Sequence, residues 1–264
     1  MNRYIDKLLK QKIIAGLILY LLALGIAEVT AAYYPTEYYG LLIHAAIMLS
    51  LVVLSSYTKE VKYSRLLQGL ALASMIRILS TSIPLLVFLN PIYIFVLIYS
   101  MLIFISYFFL KSQKISMEDA GVTVKNLKLQ ALIALSGPFF GVIEYFILKG
   151  YLPVTEITYV GEIISSIIIM IFFVGFTEEL IFRGIILQHT TKILSANKSI
   201  LFASILFMLM HMGWHSPMDL AFVFGVGLFY GYAFIKTGSI IGITLSHGLT
   251  NVFEYIVIPA FFLS

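Results

Sequence analysis

Three groups of polar residues in the last hundred positions of the chain have side chains suited to hydrolytic chemistry. Each group lies in a stretch that is otherwise strongly apolar, so its presence there requires a reason. Carboxylates and imidazoles move protons and activate water, while imidazoles and carboxamides donate hydrogen bonds to an oxyanion. The groups are Glu178, Glu179 and Arg183, then His211, then His247 and Asn251.

The first group combines two adjacent carboxylates with one guanidinium. On an α-helix, Glu179 and Arg183 stand four residues apart and share a face, with the glutamate on the N-terminal side as a favourable ion pair prefers. Glu178 is rotated by about 100° from its neighbour. We therefore expect Glu179 and Arg183 to form a supporting ion pair. Glu178 is then left to face a cavity as a general base.

The third group places an imidazole and a carboxamide on one helical face. His247 and Asn251 are four residues apart, so both can donate to the same oxygen atom, and Glu254 continues the face by one turn. In the mechanism that this pattern favours, Glu178 and His211 hold and deprotonate a water molecule. His247 and Asn251 then stabilise the oxyanion formed at a carbonyl group.

Zinc is the alternative for the same residues. Glu178, His211 and His247 could ligate zinc and leave one position open for water. The sequence lacks His-Glu-x-x-His, the best-known helical spacing of zinc proteases. Asn251 is a poor zinc ligand and a good oxyanion donor, which favours a mechanism that uses no cofactor or metal.

The elements that must position these residues are membrane spans. The chain has 264 residues, of which 61% are hydrophobic and 11% are charged, and its mean hydropathy is +1.01. Soluble domains carry about 25% charged residues, so this composition excludes an ordinary soluble enzyme. Cysteine is absent, which excludes disulfides, thiolate metal sites and a cysteine nucleophile.

A helix needs about 20 mainly apolar residues to cross the hydrocarbon core. We therefore predict an all-α polytopic transmembrane helical bundle of eight or nine spans, with residues 1–264 as one integral membrane domain and a motif-bearing core at 159–258. The seventh span is short, so the seventh and eighth could instead form a re-entrant hairpin. The nine candidate spans are Ile13 to Tyr33, Gly40 to Ser56, Leu66 to Phe88, Pro91 to Leu110, Leu129 to Leu148, Tyr159 to Phe182, Ser199 to Met212, Asp219 to Ile235 and Ile240 to Leu263.

The basic residues indicate how the bundle is oriented. Lys and Arg accumulate in short cytoplasmic loops. With the N-terminus in the cytoplasm, fourteen Lys and Arg residues fall in cytoplasmic segments and only Lys149 falls in an outer one. We therefore predict an integral membrane protein with a cytoplasmic N-terminus. The net charge of +4 is accounted for by these loops and requires no nucleic-acid partner.

Other polar residues within the spans have structural interpretations. We expect Glu28 and Glu162 to lie near outer helix ends, where contact with headgroups suffices. Arg77 and Glu144 are placed more deeply, and we expect them to pair with each other or to make close helix contacts. His44 is expected to be a satisfied polar residue.

Two glycine pairs permit close approach between helices. They are Gly137 with Gly141 and Gly227 with Gly231. We expect both pairs to serve packing inside the bundle rather than association of copies. The sequence does not fix the oligomeric state.

The polar groups resemble the ordered motifs of a known family. The segment from Gly231 to Ile240 is also similar to the one that family members carry ahead of their histidine motif. The resemblance covers about residues 159–258, and the first 158 residues match only as hydrophobic spans. The motifs shared with the CAAX protease and bacteriocin-processing family of intramembrane endopeptidases are Glu178-Glu179-x-x-x-Arg183, Phe207-x-x-x-His211 and His247-x-x-x-Asn251.

This resemblance implies an all-helical membrane fold, commonly of eight spans, and a peptidase activity. Family members closest to the Ras and a-factor converting enzyme remove the last three residues after a prenylated cysteine. Carried over, Glu178 is the water-activating base and His211 is its partner. His247 and Asn251 form the oxyanion site. The partners would be a lipid-modified protein or peptide and the bilayer, although the family also includes members linked to bacteriocin maturation or immunity.

A non-catalytic membrane protein, such as a transporter or an immunity or scaffold factor, is the competing interpretation. Charged residues in spans are equally typical of proton and ion pathways. Transporters commonly show inverted repeats and broken helices in both halves, whereas the polar groups of this chain concentrate in the C-terminal half. This asymmetry favours hydrolysis.

Overall fold

The computed structural model describes residues 2–34, 38–82, 91–149 and 160–263. Within these ranges the chain forms helices joined by turns and short loops and contains no strand, which confirms the predicted all-α bundle. The end of the third predicted span, at residues 83–88, and the start of the sixth, at Tyr159, lie outside the described residues.

The described helices follow one another in long antiparallel segments. Three π-helical segments, Ile169–Gly175, Leu180–Leu187 and Phe253–Val257, are continuous with the α-helices around them. The α-helices are α1 Asn2–Tyr33, α2 Tyr38–Tyr57, α3 Val61–Ser82, α4 Pro91–Ser112, α5 Leu127–Ala134, α6 Ser136–Leu148, α7 Val160–Ile168, α8 Phe176–Glu179, α9 Gln188–Thr191, α10 Ala196–Leu209, α11 Pro217–Thr237, α12 Ile241–Val252 and α13 Ile258–Leu263.

Eight helical segments in the described ranges are long and apolar enough to cross a membrane, and they correspond to every predicted span except the third. The third span coincides with α3, which carries Arg65, Gln68 and Arg77. These polar side chains lower its mean hydropathy, although Leu66 and Leu70 on the same helix are fully buried. α3 therefore packs inside the bundle and supplies polar groups to its interior.

The seventh and eighth predicted spans correspond to segments that are each long and apolar enough to cross a membrane. Ala196–Trp214 has 19 residues and Pro217–Thr237 has 21, so each is long enough to cross the membrane by itself. α11 begins abruptly because Pro217 occupies its first turn and the Ser216 hydroxyl accepts a hydrogen bond from the Asp219 amide at 3.2 Å. His211 therefore lies just after α10, in the short connection that leads to α11.

The glycine pairs pack helices against one another within the bundle, as predicted. A β-carbon at Gly137 or Gly141 on α6 would collide with backbone carbonyl oxygens of α12. Gly227 and Gly231 on α11 face α10, where a β-carbon would lie 3.2 Å from Ser204 or 3.0 Å from Ile200. These contacts hold α12 against α6 and α11 against α10.

One further glycine contact joins α12 to the helix that carries the paired glutamates. A β-carbon at Gly248 would lie 2.5 Å from the Ile171 Cα atom, and one at Gly175 would lie 3.0 Å from the Gly248 nitrogen. Only a residue without a side chain permits this approach. The contact brings the first and third polar groups into the same part of the bundle.

The substitution Gly248→Ala should destabilise the protein, because overpacking of a tight contact costs about 1–3 kcal/mol or more. The measurement is the thermal unfolding midpoint of the purified protein in detergent, which should fall by several degrees. Gly225→Ala is the matched control, since a β-carbon there has no atom within 4 Å. Equal midpoints for the two variants would show that α12 does not approach Ile171 this closely.

Candidate active site

The paired glutamates lie at the centre of one continuous helix formed by residues 160–191, called the motif helix below. Within it, the four-residue α8 is flanked on both sides by π-helical segments. Such segments frequently occur at functional sites. Glu178 keeps 13% of its side-chain surface exposed, whereas Glu179 is fully buried. The adjacent carboxylates thus face different surroundings, as the rotation between them predicts.

Arg183 is held by three contacts deep in the bundle. Its Nη1 atom donates to Glu179 Oε1 at 2.7 Å, and its Nη2 atom donates to the Gly227 carbonyl oxygen at 3.4 Å. The guanidinium also lies 4.4 Å from the centroid of the Phe207 ring. The predicted ion pair between Glu179 and Arg183 is confirmed. It neutralises a carboxylate that would be costly to bury alone.

Glu179 also orients His247, a contact that the sequence spacing did not predict. The Nδ1 atom of His247 donates to Glu179 Oε1 at 2.9 Å. Because a carboxylate can only accept, Nδ1 carries a proton and Nε2 is the nitrogen turned toward Glu178. The Tyr230 ring stacks on the imidazole at a centroid distance of 6.1 Å. His247 is therefore fixed in both tautomer and orientation.

Glu178 has one hydrogen-bond donor and one free oxygen. The Tyr99 hydroxyl on α4 donates to Oε1 at 2.5 Å, whereas His247 Nε2 lies 3.8 Å from Oε2. The second distance is too long for a hydrogen bond, so Oε2 is available to water or substrate. Tyr99 was missed by sequence reasoning because it is one of 17 tyrosines and belongs to no motif.

His211 follows the end of α10 rather than lying within a helix. Its Nδ1 atom donates to the Phe207 carbonyl oxygen at 2.9 Å, and Nε2 has no hydrogen-bond partner among the described residues. The Phe207 ring lies 4.7 Å from the His211 ring and 5.9 Å from the His247 ring. One phenylalanine therefore contacts both imidazoles and sets their separation.

Asn251 lies one turn beyond His247 on α12, as their spacing predicts. Its side chain is half-buried and makes no hydrogen bond within the described part of the chain. Such a carboxamide can donate to a group that is not part of the protein. Glu254, which the same spacing placed on this face, lies in the π-helical segment Phe253–Val257 and is buried.

The interpretation of Glu28 as a residue at the headgroups is wrong. Glu28 is 1% exposed, and its Oε2 atom lies 2.6 Å from Arg77 Nη2. His44, predicted to be a satisfied polar residue, contacts the same carboxylate at 3.3 Å. Arg77 also donates from Nη2 to the Met210 carbonyl oxygen at 2.7 Å. Hydropathy indicates the depth of a residue but not its neighbours, so this cluster could not be predicted.

Of the two alternatives expected for Arg77 and Glu144, the pairing with each other is wrong. Arg77 forms an ion pair with Glu28. Glu144 instead lies near two further buried acids, Asp219 and Glu254. These three carboxyl groups come from α6, α11 and the C-terminal helix. The cluster of Glu28, His44 and Arg77 is connected to the site more directly than these three acids are. Arg77 donates to the Met210 carbonyl oxygen and so holds the connection that carries His211.

The predicted site residues Glu178, Glu179, Arg183, His211 and His247 thus come together from the motif helix, α12 and the connection after α10. Residues 160–253 match the family model for type II CAAX prenyl endopeptidase, Rce1-like. This segment is an Rce1-like domain.

The Rce1-like domain includes the motif helix and both histidine-bearing segments, and it ends two residues after Asn251. At the level of the family, the match supports an intramembrane protease of the CAAX type. It agrees with the family that the three motifs resemble. No curated protein and no solved structure matches the chain.

Metal binding is the remaining question about the Rce1-like domain. Among the described residues, no three histidine, aspartate or glutamate side chains are arranged to hold a metal ion. His247 uses Nδ1 for Glu179, and its Nε2 atom is 3.8 Å from Glu178. This geometry suits direct contact of Glu178 and His211 with water. The mechanism without a metal stays a prediction.

The substitution Arg183→Gln should strongly destabilise the bundle, because removal of one partner from a buried ion pair costs about 3–5 kcal/mol. We expect a lower thermal midpoint and less monodisperse protein on size-exclusion chromatography in detergent. Lys198→Gln on α10 removes an exposed positive charge and should leave both readouts unchanged. If Arg183→Gln behaved like this control, the ion pair would not support the site.

Proposed function

We propose that the chain is a glutamate-dependent intramembrane endopeptidase that cleaves a peptide bond near the C-terminus of a lipid-modified, prenylated protein or peptide. The observation that carries the proposal is the placement of Glu178 between Tyr99 and His247, with Glu179 behind the imidazole. The Rce1-like match supports the class of protease. The lipid-modified substrate follows from the family resemblance.

In this proposal, Glu178 and His211 activate the water molecule. Tyr99 occupies Oε1 of Glu178, so a water molecule would be held by Oε2 and by the unpaired Nε2 of His211. Glu178 takes one proton from the water as the oxygen attacks the carbonyl carbon of the scissile bond. The carboxylate becomes a carboxylic acid, and a tetrahedral oxyanion forms on the substrate.

The oxyanion would be stabilised by His247 and Asn251. With Nδ1 of His247 donating to Glu179, Nε2 can donate only from the protonated imidazole, and the Glu179 carboxylate stabilises that form. The Asn251 amide supplies a second donor. When the intermediate collapses, the C–N bond breaks and Glu178 returns its proton to the leaving amine. The enzyme is then restored.

The bilayer contributes to substrate binding in this proposal. A lipid chain on the substrate lies among the acyl chains beside the bundle, which confines the scissile bond to the depth of the site. We place the N-terminus in the cytoplasm, because the concentration of Lys and Arg on one side follows the charge bias of cytoplasmic loops.

Glu178→Gln preserves the shape of the side chain and removes the base, so hydrolysis should slow by about 10²–10⁴-fold. Asn251→Ala removes one oxyanion donor and should cost about 10²–10³-fold. The assay is cleavage of a quenched farnesylated peptide by purified protein in detergent.

Glu60→Gln is the matched control, since Glu60 is exposed before α3 and the same atoms change. It should keep full activity, and all variants should keep the wild-type thermal midpoint. Undiminished cleavage by Glu178→Gln would overturn the mechanism. Substrate-driven ion flux in liposomes, with no cleavage, would favour a transporter instead.

Metal dependence is tested separately with the same peptide. We expect activity to survive prolonged incubation with a zinc chelator, because the proposed water is held by side chains alone. Elemental analysis of the active protein should then show no stoichiometric zinc. Zinc at one equivalent per chain, whose removal abolishes activity and whose return restores it, would establish the zinc alternative.

A further inference from the structure

A polar cavity of about 330 Å³ lies at one end of the bundle and shares no residue with the candidate active site. It forms where the spans Tyr38–Tyr57 and Tyr93–Ser112 end and where α3 begins at Val61. Residues at the ends of spans lie at the depth of the lipid headgroups. The cavity, called the α3 cavity below, is therefore placed at the membrane surface. Its lining includes Thr58, Ser64, Arg65, Gln68, Ser112 and Gln113.

The lining of the α3 cavity favours an anion. Arg65 is its one charged residue, and no carboxylate belongs to it. Val61, which also lines the cavity, is the first residue of α3, so its amide has no carbonyl partner within the helix. The N-terminus of this 22-residue helix carries a partial positive charge as well. A guanidinium and the positive end of a helix thus meet at the same cavity.

Arg65 is held in place by a buried polar network. Its Nη2 atom donates to the Gln113 carbonyl oxygen at 3.1 Å. Gln113 is itself buried, and its side chain contacts those of Gln68 and His189 at 3.0 Å each. The ion pairs among the described residues do not include Arg65. The guanidinium is therefore fixed from behind, contacts no acid, and keeps further N–H groups for a ligand.

Two lysines add to the positive charge around Arg65. Lys62 lies in the first turn of α3, and Lys192 directly follows the motif helix. Desolvation and the charge of Arg65 lower the pKa of Lys192, and Lys62 adds to this shift while Asp119 opposes it. Glu60, the residue before α3, is exposed and does not line the cavity. The three cations are thus close enough to repel one another, and an anion bound between them would relieve that repulsion.

Exposed apolar side chains continue from the α3 cavity toward the bilayer core. Leu54 precedes Thr58 by one turn, since the Thr58 hydroxyl donates to the Leu54 carbonyl oxygen at 2.6 Å. Phe108 precedes Ser112 by four residues on α4 and shares its face. Leu54 is 54% exposed and Phe108 is 48% exposed, and the Phe104 ring packs on Phe108 at 4.5 Å. An acyl chain can lie along this surface while its headgroup occupies the cavity.

We propose that the α3 cavity binds a phosphate group and that this phosphate belongs to the headgroup of an anionic lipid. Arg65 donates to the phosphate oxygens from its planar guanidinium, and the first amide of α3 donates beside it. Lys62 and Lys192 favour a headgroup with a net negative charge over a zwitterionic one, whose ammonium group they repel. The apolar surface next to the cavity favours a lipid over soluble phosphate.

The ligand is tested by binding of a fluorescent phosphatidylglycerol to the purified protein in detergent micelles. Unlabelled phosphatidylglycerol should displace the probe at least about tenfold more effectively than phosphatidylcholine does. Inorganic phosphate at the same concentrations should not displace it. Equal displacement by the two lipids would overturn the proposal of an anionic headgroup. Displacement by inorganic phosphate as effective as that by phosphatidylglycerol would assign the cavity to soluble phosphates and overturn the lipid source.

The position of the site is tested with variants in the same binding measurement. Arg65→Gln removes the charged donor and should weaken binding by about tenfold or more. Lys62→Gln changes an exposed side chain and should weaken it by about two- to threefold. The matched control is Lys125→Gln, because Lys125 is exposed on the loop after α4 and lines a different cavity. It should bind the lipid as the wild type does.

Undiminished binding by Arg65→Gln would overturn the proposal. Equal losses in Arg65→Gln and Lys125→Gln would indicate diffuse attraction to the basic loops and would also overturn it. Thermal midpoints show whether each variant is folded. If Arg65→Gln does not fold, Lys62→Gln decides, and wild-type affinity in that variant would then contradict a phosphate held beside Lys62.

Discussion

One carboxylate oxygen inside the bundle, Glu179 Oε1, accepts hydrogen bonds from both Arg183 and His247. Ionisable groups at this depth cost several kcal/mol unless they are paired, so each of the three residues requires the other two. The requirement constrains the backbone as well. The motif helix and α12 must come close enough for a 2.9 Å contact, and Gly175 and Gly248 make that approach possible. Packing and chemistry in the C-terminal half are thus consequences of the same contact.

The N-terminal half of the chain carries no recognisable motif, yet it completes the site. Tyr99 on α4 fixes one oxygen of Glu178, and Arg77 on α3 holds the Met210 carbonyl beside His211. Arg77 in turn is neutralised by Glu28 on α1. The first four helices are therefore not an inert membrane anchor. They position Glu178 and the connection that carries His211, although the Rce1-like match begins only at residue 160.

Local patterns in the sequence were sufficient for the helices and for contacts within one helix. The apolar runs predicted the spans, and the four-residue spacing predicted the pairing of Glu179 with Arg183. Contacts between helices were not accessible in the same way. The partners of Arg77 and the role of Tyr99 depend on distances between α1, α3, α4 and the motif helix, which no single-helix pattern encodes. α3 was predicted as an ordinary span from the length of its apolar run, whereas its interior polar groups lower its mean hydropathy.

The two adjacent glutamates on the motif helix have different partners. The Glu179 carboxylate contacts the Arg183 guanidinium and the His247 imidazole, and its side chain has no exposed surface. Glu178 receives only the uncharged Tyr99 hydroxyl and keeps one oxygen without a hydrogen bond. Glu179 thus lies between a guanidinium and an imidazole, whereas Glu178 meets a neutral donor. The asymmetry of partners, rather than any difference between the residues themselves, therefore supports the proposal that Glu178 transfers protons and that Glu179 orients the imidazole.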